Sequence, residues 1–226
     1  MRDSRSRGPL PDLAPLIEQA LLDPHHGLEA VHQACDQARH FGFAGVCVSS
    51  RWVAAARERL GRSGRVKLVA VVAFPFGAVT AAIKLAEAEA AASAGADELD
   101  VVPDFGALAD GDGSAIYQEL GAVVELGLPV KVIQEVGRLN PAALELLVEA
   151  SIDAGAAYLK TGSGFGPAVS PEQVTQLREL ARGRAAIKAS GGIAELEQAF
   201  DLVAAGATRL GTSRGVALIE AMRAPA

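Results

Sequence analysis

Short runs of β-branched and aliphatic residues alternate along the chain with longer stretches rich in Ala, Leu and Glu, which is the pattern of parallel βα units. The clearest runs cover 46–49, 68–74, 99–102, 130–136, 158–161, 186–190 and 209–213. A weaker apolar segment at 16–22, ahead of the Asp23-Pro24 break, supplies an eighth. Eight such strands with helices between them predict an α/β protein with a closed (β/α)8 TIM barrel, and 226 residues is the length of a single domain of this kind.

Local punctuation supports the helices between the strands. Thr80 can cap a helix that runs to Ala94 and stops at Gly95, and Asn140-Pro141 opens one that stops at Gly155. Ser170-Pro171-Glu172-Gln173 has the spacing of a capping box, and its helix ends near Gly183.

The segments 94–100, 154–160 and 205–211 repeat one motif, in which Ala-Gly-Ala stops a helix and leads into a strand. In this register Asp100, Lys160 and Gly211 stand at the same step of the predicted fourth, sixth and eighth strands. Alternate strands of a (β/α)8 barrel fill one layer of its interior, so Asp100 and Lys160 are expected to meet in the lumen with space beside them at Gly211. The plainer reading is that Ala-Gly-Ala is a common helix terminus in an Ala-rich chain.

Half of the residues are hydrophobic and 21% are charged, enough for a sizeable core, while the net charge of −6 and the absence of a long basic run argue against a nucleic-acid or anionic-membrane surface. No stretch has the length of an apolar membrane span. Residues 1–15 carry Arg2, Arg5, Arg7, Pro9, Pro11 and Pro15 without the apolar core of a secretory signal, and read as a loose tail. Cys35 and Cys47 are too few for a disulfide framework, and a reducing cytoplasm is the expected location.

The chain has 5 Lys against 16 Arg, so each lysine is informative. Lys67 and Lys131 stand at the N-terminal ends of their strands and Lys84 lies in a helix, positions that read as structural. Lys160 and Lys188 lie near the C-terminal ends of neighbouring strands, the face where barrel enzymes place their active sites. An ammonium in an apolar strand needs either a partner or a function. The structural alternative is a Lys160–Asp100 salt bridge. Two neighbouring ammonium groups disfavour each other's charge, a known way to prepare an amine for Schiff-base chemistry.

Glycines follow these strands: Gly162 and Gly164, then Gly191 and Gly192, then Gly211 and Gly215 flanking Thr212, Ser213 and Arg214. Loops after the seventh and eighth strands commonly bind phosphate in this fold, so Gly162, Gly164, Gly191, Gly192, Ser213 and Arg214 are the candidate phosphate and substrate contacts. His25, His26, His32 and His40 all fall in the first 40 residues, in a loop and helix away from the predicted strand ends, and no metal-binding spacing occurs. No metal or other cofactor is called for.

With these residues in place the chain resembles the deoxyribose-phosphate aldolase family of class I aldolases. The resemblance runs from about Val46 to Val216 through Val46-Cys47-Val48, Phe74-Pro75-Phe76-Gly77, the 95–102 strand, Leu159-Lys160-Thr161, Ile187-Lys188-Ala189-Ser190-Gly191-Gly192 and the segment from Gly206 to Ser213. It implies reversible cleavage of 2-deoxy-D-ribose 5-phosphate to glyceraldehyde 3-phosphate and acetaldehyde, with Lys160 forming the imine, Lys188 lowering its pKa and Asp100 moving protons. It places Cys47 and Glu18 at the pocket and implies a homodimer. Where the family usually reads Asp-His-Thr, this chain has Glu18-Gln19-Ala20; Asp23 replaces a lysine, Ser49 an asparagine and Arg214 a serine. Another lysine aldolase with a different aldehyde pair is the near alternative. A phosphosugar isomerase or epimerase using Asp100 as a base, or a barrel that binds phosphosugar without turnover, is the more distant one.

Overall fold

The computed structural model describes residues 11–224. The eight predicted strands are all present: β1 (Ile17–Leu21), β2 (Gly45–Ser49), β3 (Lys67–Val72), β4 (Glu98–Val101), β5 (Val130–Ile133), β6 (Tyr158–Lys160), β7 (Ala186–Ser190) and β8 (Arg209–Thr212). Every neighbouring pair is parallel, and β8 returns to β1 to close the barrel. Around it lie α1 (Leu28–Phe41), α2 (Val53–Leu60), α3 (Ala81–Ser93), α4 (Phe105–Ala109), α5 (Gly113–Val124), α6 (Pro141–Asp153), α7 (Pro171–Ala181), α8 (Leu196–Ala205) and α9 (Gly215–Arg223). Among the described residues no helix is long and apolar enough to cross a membrane.

The two-residue period of the strands divides the apolar residues between two places. Val46, Val48, Leu68, Ala70 and Val72 join the main core beneath the helices. The intervening Cys47, Val69 and Val71 form a small separate cluster with Leu22 and Phe74. That cluster makes the β2–β3 side of the lumen apolar and leaves its charged groups to the other strands.

Helix boundaries follow the local signals closely. Asn140 and Ser170 accept the backbone N–H groups of Ala143 and Gln173, and Gln173 completes the capping box at α7. The three repeated stops, Gly95, Gly155 and Gly206, all have left-handed φ between 95° and 119°, which explains why the Ala-Gly-Ala motif recurs. Thr80 sits at the N-cap of α3, but its side chain makes no capping bond. The runs at 68–74 and 130–136 stop short of their expected ends because Ala73 and Glu135 take left-handed φ of 54° and 48°, turning the chain out of the ladder. Residues 1–10 of the expected tail lie outside the described residues, whereas Leu13 and Ala14 are buried in the main core. The chain is therefore packed from Leu13 onward rather than loose to residue 15.

The register places the repeat's third-strand partners where the barrel's stagger requires. Asp100 pairs with Lys131 and Lys131 with Tyr158, two residues short of Lys160. Likewise Lys160 pairs with Lys188 and Lys188 with Arg209, two short of Gly211. In a barrel of eight strands with a shear of about eight, a stagger of two residues per two strands brings such positions to one height.

Candidate active site

Lys160, the last residue of β6, and Lys188, in the middle of β7, are register partners and both almost completely buried. Their Nζ atoms donate to the same carboxylate oxygen, Asp100 Oδ2, at 2.9 and 2.7 Å. The other oxygen, Oδ1, accepts from Lys131 Nζ at 3.0 Å. Lys131 also meets Glu98 at 2.6 Å and Glu18 at 3.5 Å, and Lys188 donates to Glu18 Oε2. The Lys160–Asp100 salt bridge exists, but as one edge of a network of three lysines and three carboxylates.

Burial by itself would push Asp100 up; Lys131, Lys160 and Lys188 outweigh it and hold the carboxyl well below the usual carboxylate range. Glu18, also favoured toward protonation by burial, is drawn down by Lys188 and Lys131. Burial opposes the charge of Lys188, but Asp100 and Glu18 more than compensate and raise it above the ordinary lysine value. Lys131 is raised in the same way by Asp100, Glu18 and Glu98. Lys188 and Lys131 are therefore held as cations, and the first of these shares an oxygen with Lys160. Cys47 Sγ lies 3.9 Å from Asp100 Oδ2, and burial with the nearby carboxylate pushes its thiol up to about 11, so it stays neutral at physiological pH.

Above this floor opens a cavity of about 920 Å³ at the C-terminal ends of the strands, lined by Lys160, Lys188, Cys47, Gly164, Gly191, Gly192, Ser213 and Arg214. Asp100 and Glu18 lie beneath it, fully buried. Gly162 does not line it; its carbonyl accepts the Ser190 hydroxyl at 2.5 Å. A neighbouring cavity of about 380 Å³, bounded by Phe76, Leu108, Arg138 and Phe165, has no lysine in its wall.

The loop after β8 is held by two side chains. Thr212 Oγ1 accepts from Arg214 N at 2.9 Å and donates to Ile193 O at 2.6 Å, tying this loop to the one after β7. Gln19 accepts from Gly215 N and donates to Ser213 O, both at 3.1 Å. The N–H groups of Arg214 and Gly215 are thus already engaged, which leaves this loop the exposed Arg214 guanidinium and the exposed Ser213 to offer an anion. No carboxylate among the described residues is paired with it. On the opposite side Glu135, in its left-handed conformation, accepts the N–H of Ser163, and Arg138 donates to Phe165 O at 2.9 Å, holding the loop that carries Gly164.

Two expectations need correction. Lys131, expected to be structural and set apart from the catalytic lysines at the start of its strand, is completely buried in the lumen and bonded to the same Asp100. Its strand is short, so a residue one step from the start already faces the centre. Its placement between Val130 and Val132-Ile133 was the available signal, the same one that marks Lys160 and Lys188. His25 and His26 are not remote from the strand ends, since the loop after β1 brings both to the cavity rim. Lys67, by contrast, is exposed at the start of β3, and Lys84 is buried against Glu119 at 2.6 Å between α3 and α5. Among the described residues no group of three His, Cys, Asp or Glu is placed to hold a metal ion.

Comparison with known proteins agrees with the barrel. No family model matches the chain. A deoxyribose-phosphate aldolase of Trichormus variabilis is 44% identical over 209 residues, covering 92% of each chain. One from Thermus thermophilus is 43% identical over 212 residues, covering 92% of this chain and 96% of its own. The solved deoxyribose phosphate aldolase of Aeropyrum pernix, described as a unique tetramer, superposes with a TM-score of 0.86 at 35% identity over 94% of this chain and 91% of that one. Identity at this level, running almost the full length of both partners on the same closed barrel, settles the relationship: the chain belongs to the deoxyribose-phosphate aldolase family.

Proposed function

We propose that the protein is a class I aldolase that reversibly cleaves 2-deoxy-D-ribose 5-phosphate to D-glyceraldehyde 3-phosphate and acetaldehyde, with Lys160 as its nucleophile. The observation that carries this reading is the shared oxygen of Asp100, to which the Lys160 and Lys188 amines both bond on the cavity floor.

The neutral Lys160 amine adds to the substrate aldehyde, and loss of water from the carbinolamine gives a protonated imine. Asp100 touches Lys160 and Lys188 together and is the group placed to pass protons during that dehydration. The imine draws the electron pair of the bond between carbons 2 and 3, the carbon 3 hydroxyl loses its proton, and glyceraldehyde 3-phosphate leaves. Protonation of the enamine at carbon 2 and hydrolysis release acetaldehyde and restore the amine. Lys188, held cationic by Glu18 and Asp100, shares Asp100 Oδ2 with Lys160 and so places a positive charge beside the attacking amine. The Phe74 ring, 5.8 Å from Lys160 Nζ, supplies a π face on the apolar side of the lumen.

An isomerase or epimerase would need Asp100 as a base toward substrate. Asp100 lies beneath the cavity floor, fully buried and bonded to three ammonium groups, so it reaches Lys160 but does not face a substrate carbon. Acetaldehyde followed by borohydride should label one peptide, that of Lys160, and abolish activity, while a chelator leaves turnover intact. Peptide mass mapping checks the label, and a label elsewhere or none removes the imine reading.

Gly164, Gly191, Gly192, Ser213 and Arg214 form the phosphate end of the cavity in this reading. A charge-assisted hydrogen bond contributes about 1.5–3 kcal/mol, so Arg214→Ala should raise KM for the phosphorylated sugar roughly ten-fold to a hundred-fold. Initial-rate measurements with unphosphorylated deoxyribose should show little change, and equal effects on both sugars would remove Arg214 from the phosphate site. Assembly as a homodimer in the cytoplasm, with the barrel as a single domain, completes the proposal; analytical ultracentrifugation reads the first of these directly.

A further inference from the structure

We infer, resting on the reading of Arg214 as the phosphate contact, that Gln19 is the positioning residue that sets the Ser213–Arg214–Gly215 loop and so decides affinity for the phosphorylated end of the substrate.

Gln19 is nearly buried on β1 and pairs in the ladder with Thr212, just before that loop. Side chains alternate along a strand, so Gln19 turns away from the charged floor where Glu18 meets Lys188, borders the cavity and reaches under the start of α9. There its carboxamide spans Arg214: Oε1 accepts from Gly215 N and Nε2 donates to Ser213 O, each at 3.1 Å. An amide is suited to this place because it offers a donor and an acceptor in one plane, whereas a carboxylate offers acceptors alone. A Cβ on residue 215 would lie 2.5 Å from Oε1 and 2.9 Å from Ile17 Cγ2, so the clamp closes over a position that suits glycine. Thr212 holds the N–H of Arg214. With the backbone fixed on both sides, the guanidinium projects from a defined point at the cavity rim.

The test is a comparison of Gln19→Leu, Gln19→Glu, Arg214→Ala and the Gln19→Leu/Arg214→Ala double variant. For Gln19→Leu, hydrogen exchange at the Gly215 amide should quicken, and KM for deoxyribose 5-phosphate should rise about ten-fold with a much smaller change in kcat, the scale of one lost hydrogen bond. KM for unphosphorylated deoxyribose and the pH profile of borohydride trapping at Lys160 should hardly move. Gln19→Glu, which keeps the acceptor but sets a second acceptor against Ser213 O and a negative charge near the phosphate, should raise the same KM at least as much, and it serves if the leucine variant does not fold. Contacts that act through one group are non-additive, so Gln19→Leu should add less than about two-fold to KM in the Arg214→Ala background. If Arg214→Ala discriminates between the sugars while the Gln19 variants affect both alike, or multiply fully with it, the inference about Gln19 is overturned alone. If Arg214→Ala itself affects both sugars equally, the phosphate reading falls and the inference with it.

Discussion

Lys160→Arg should lose imine trapping at every pH and lower aldol cleavage on the order of 10⁴-fold or more, the scale on which enzymes suffer when a covalent nucleophile is removed. Guanidinium stays protonated throughout the accessible range and cannot form the Schiff base. The substitution keeps a positive charge opposite Asp100 Oδ2, which Lys160 now meets at 2.9 Å, so the carboxylate is not left with an unpaired neighbour. Thermal unfolding should therefore change far less than activity, and that contrast separates the lost chemistry from a lost fold. Trapping at Lys188 in this variant, with the pH profile of the wild type, would show that the two lysines have exchanged roles.

Lys188→Leu should leave trapping at Lys160 possible but move its pH profile upward. Lys188 is held above the ordinary lysine value, because Asp100 and Glu18 overcome its burial, so it remains cationic across the range where an aldolase works. One ammonium beside another disfavours its charge, so in the proposed mechanism removal of Lys188 means that a higher pH is needed to recover the same trapping. A shift of one pH unit corresponds to about 1.36 kcal/mol and a ten-fold loss of trapping at fixed neutral pH. Lys188→Arg should retain most of the low-pH trapping. The leucine variant also leaves Glu18 with only Lys131 at 3.5 Å and Arg209 at 3.6 Å, and breaking a buried ion pair costs about 3–5 kcal/mol. Trapping must therefore be measured per folded molecule, with a melting curve beside it. A profile unchanged in Lys188→Leu would show that the second lysine does not act through its charge.

The order of helices and strands was legible because its signals are local. Alternation within 46–49 and 186–190, the capping atoms of Asn140 and Ser170, and the left-handed glycines of the three repeats each depend on a few neighbouring residues. The pairing of Asp100 with Lys160 was legible for a related reason. The repeat carries the stagger of the barrel in its own spacing, so equal offsets become equal heights once the strands close.

Lys131 marks where that reasoning stops. Its apolar neighbours show that it is buried, but not that its amine reaches the far oxygen of the carboxylate already bonded to Lys160 and Lys188. Glu98 and Arg209 stand two residues before Asp100 and Gly211 and so share their faces, but that they meet Lys131 and Glu18 is set only by the assembled strands. His25 and His26 were misplaced because the path of a loop depends on what it packs against.

Sequence alone determined the kinds of elements, their order, the barrel they close into and the two lysines at the ends of adjacent strands, since period, capping and glycine placement are written in contiguous residues. Tertiary structure decided which charges share an oxygen, which loop amides are already engaged by Gln19 and Thr212, and which side chains reach the cavity. Those contacts join residues as far apart in the chain as Gln19 and Gly215, and their distances are set only when closure of the barrel brings β8 back against β1.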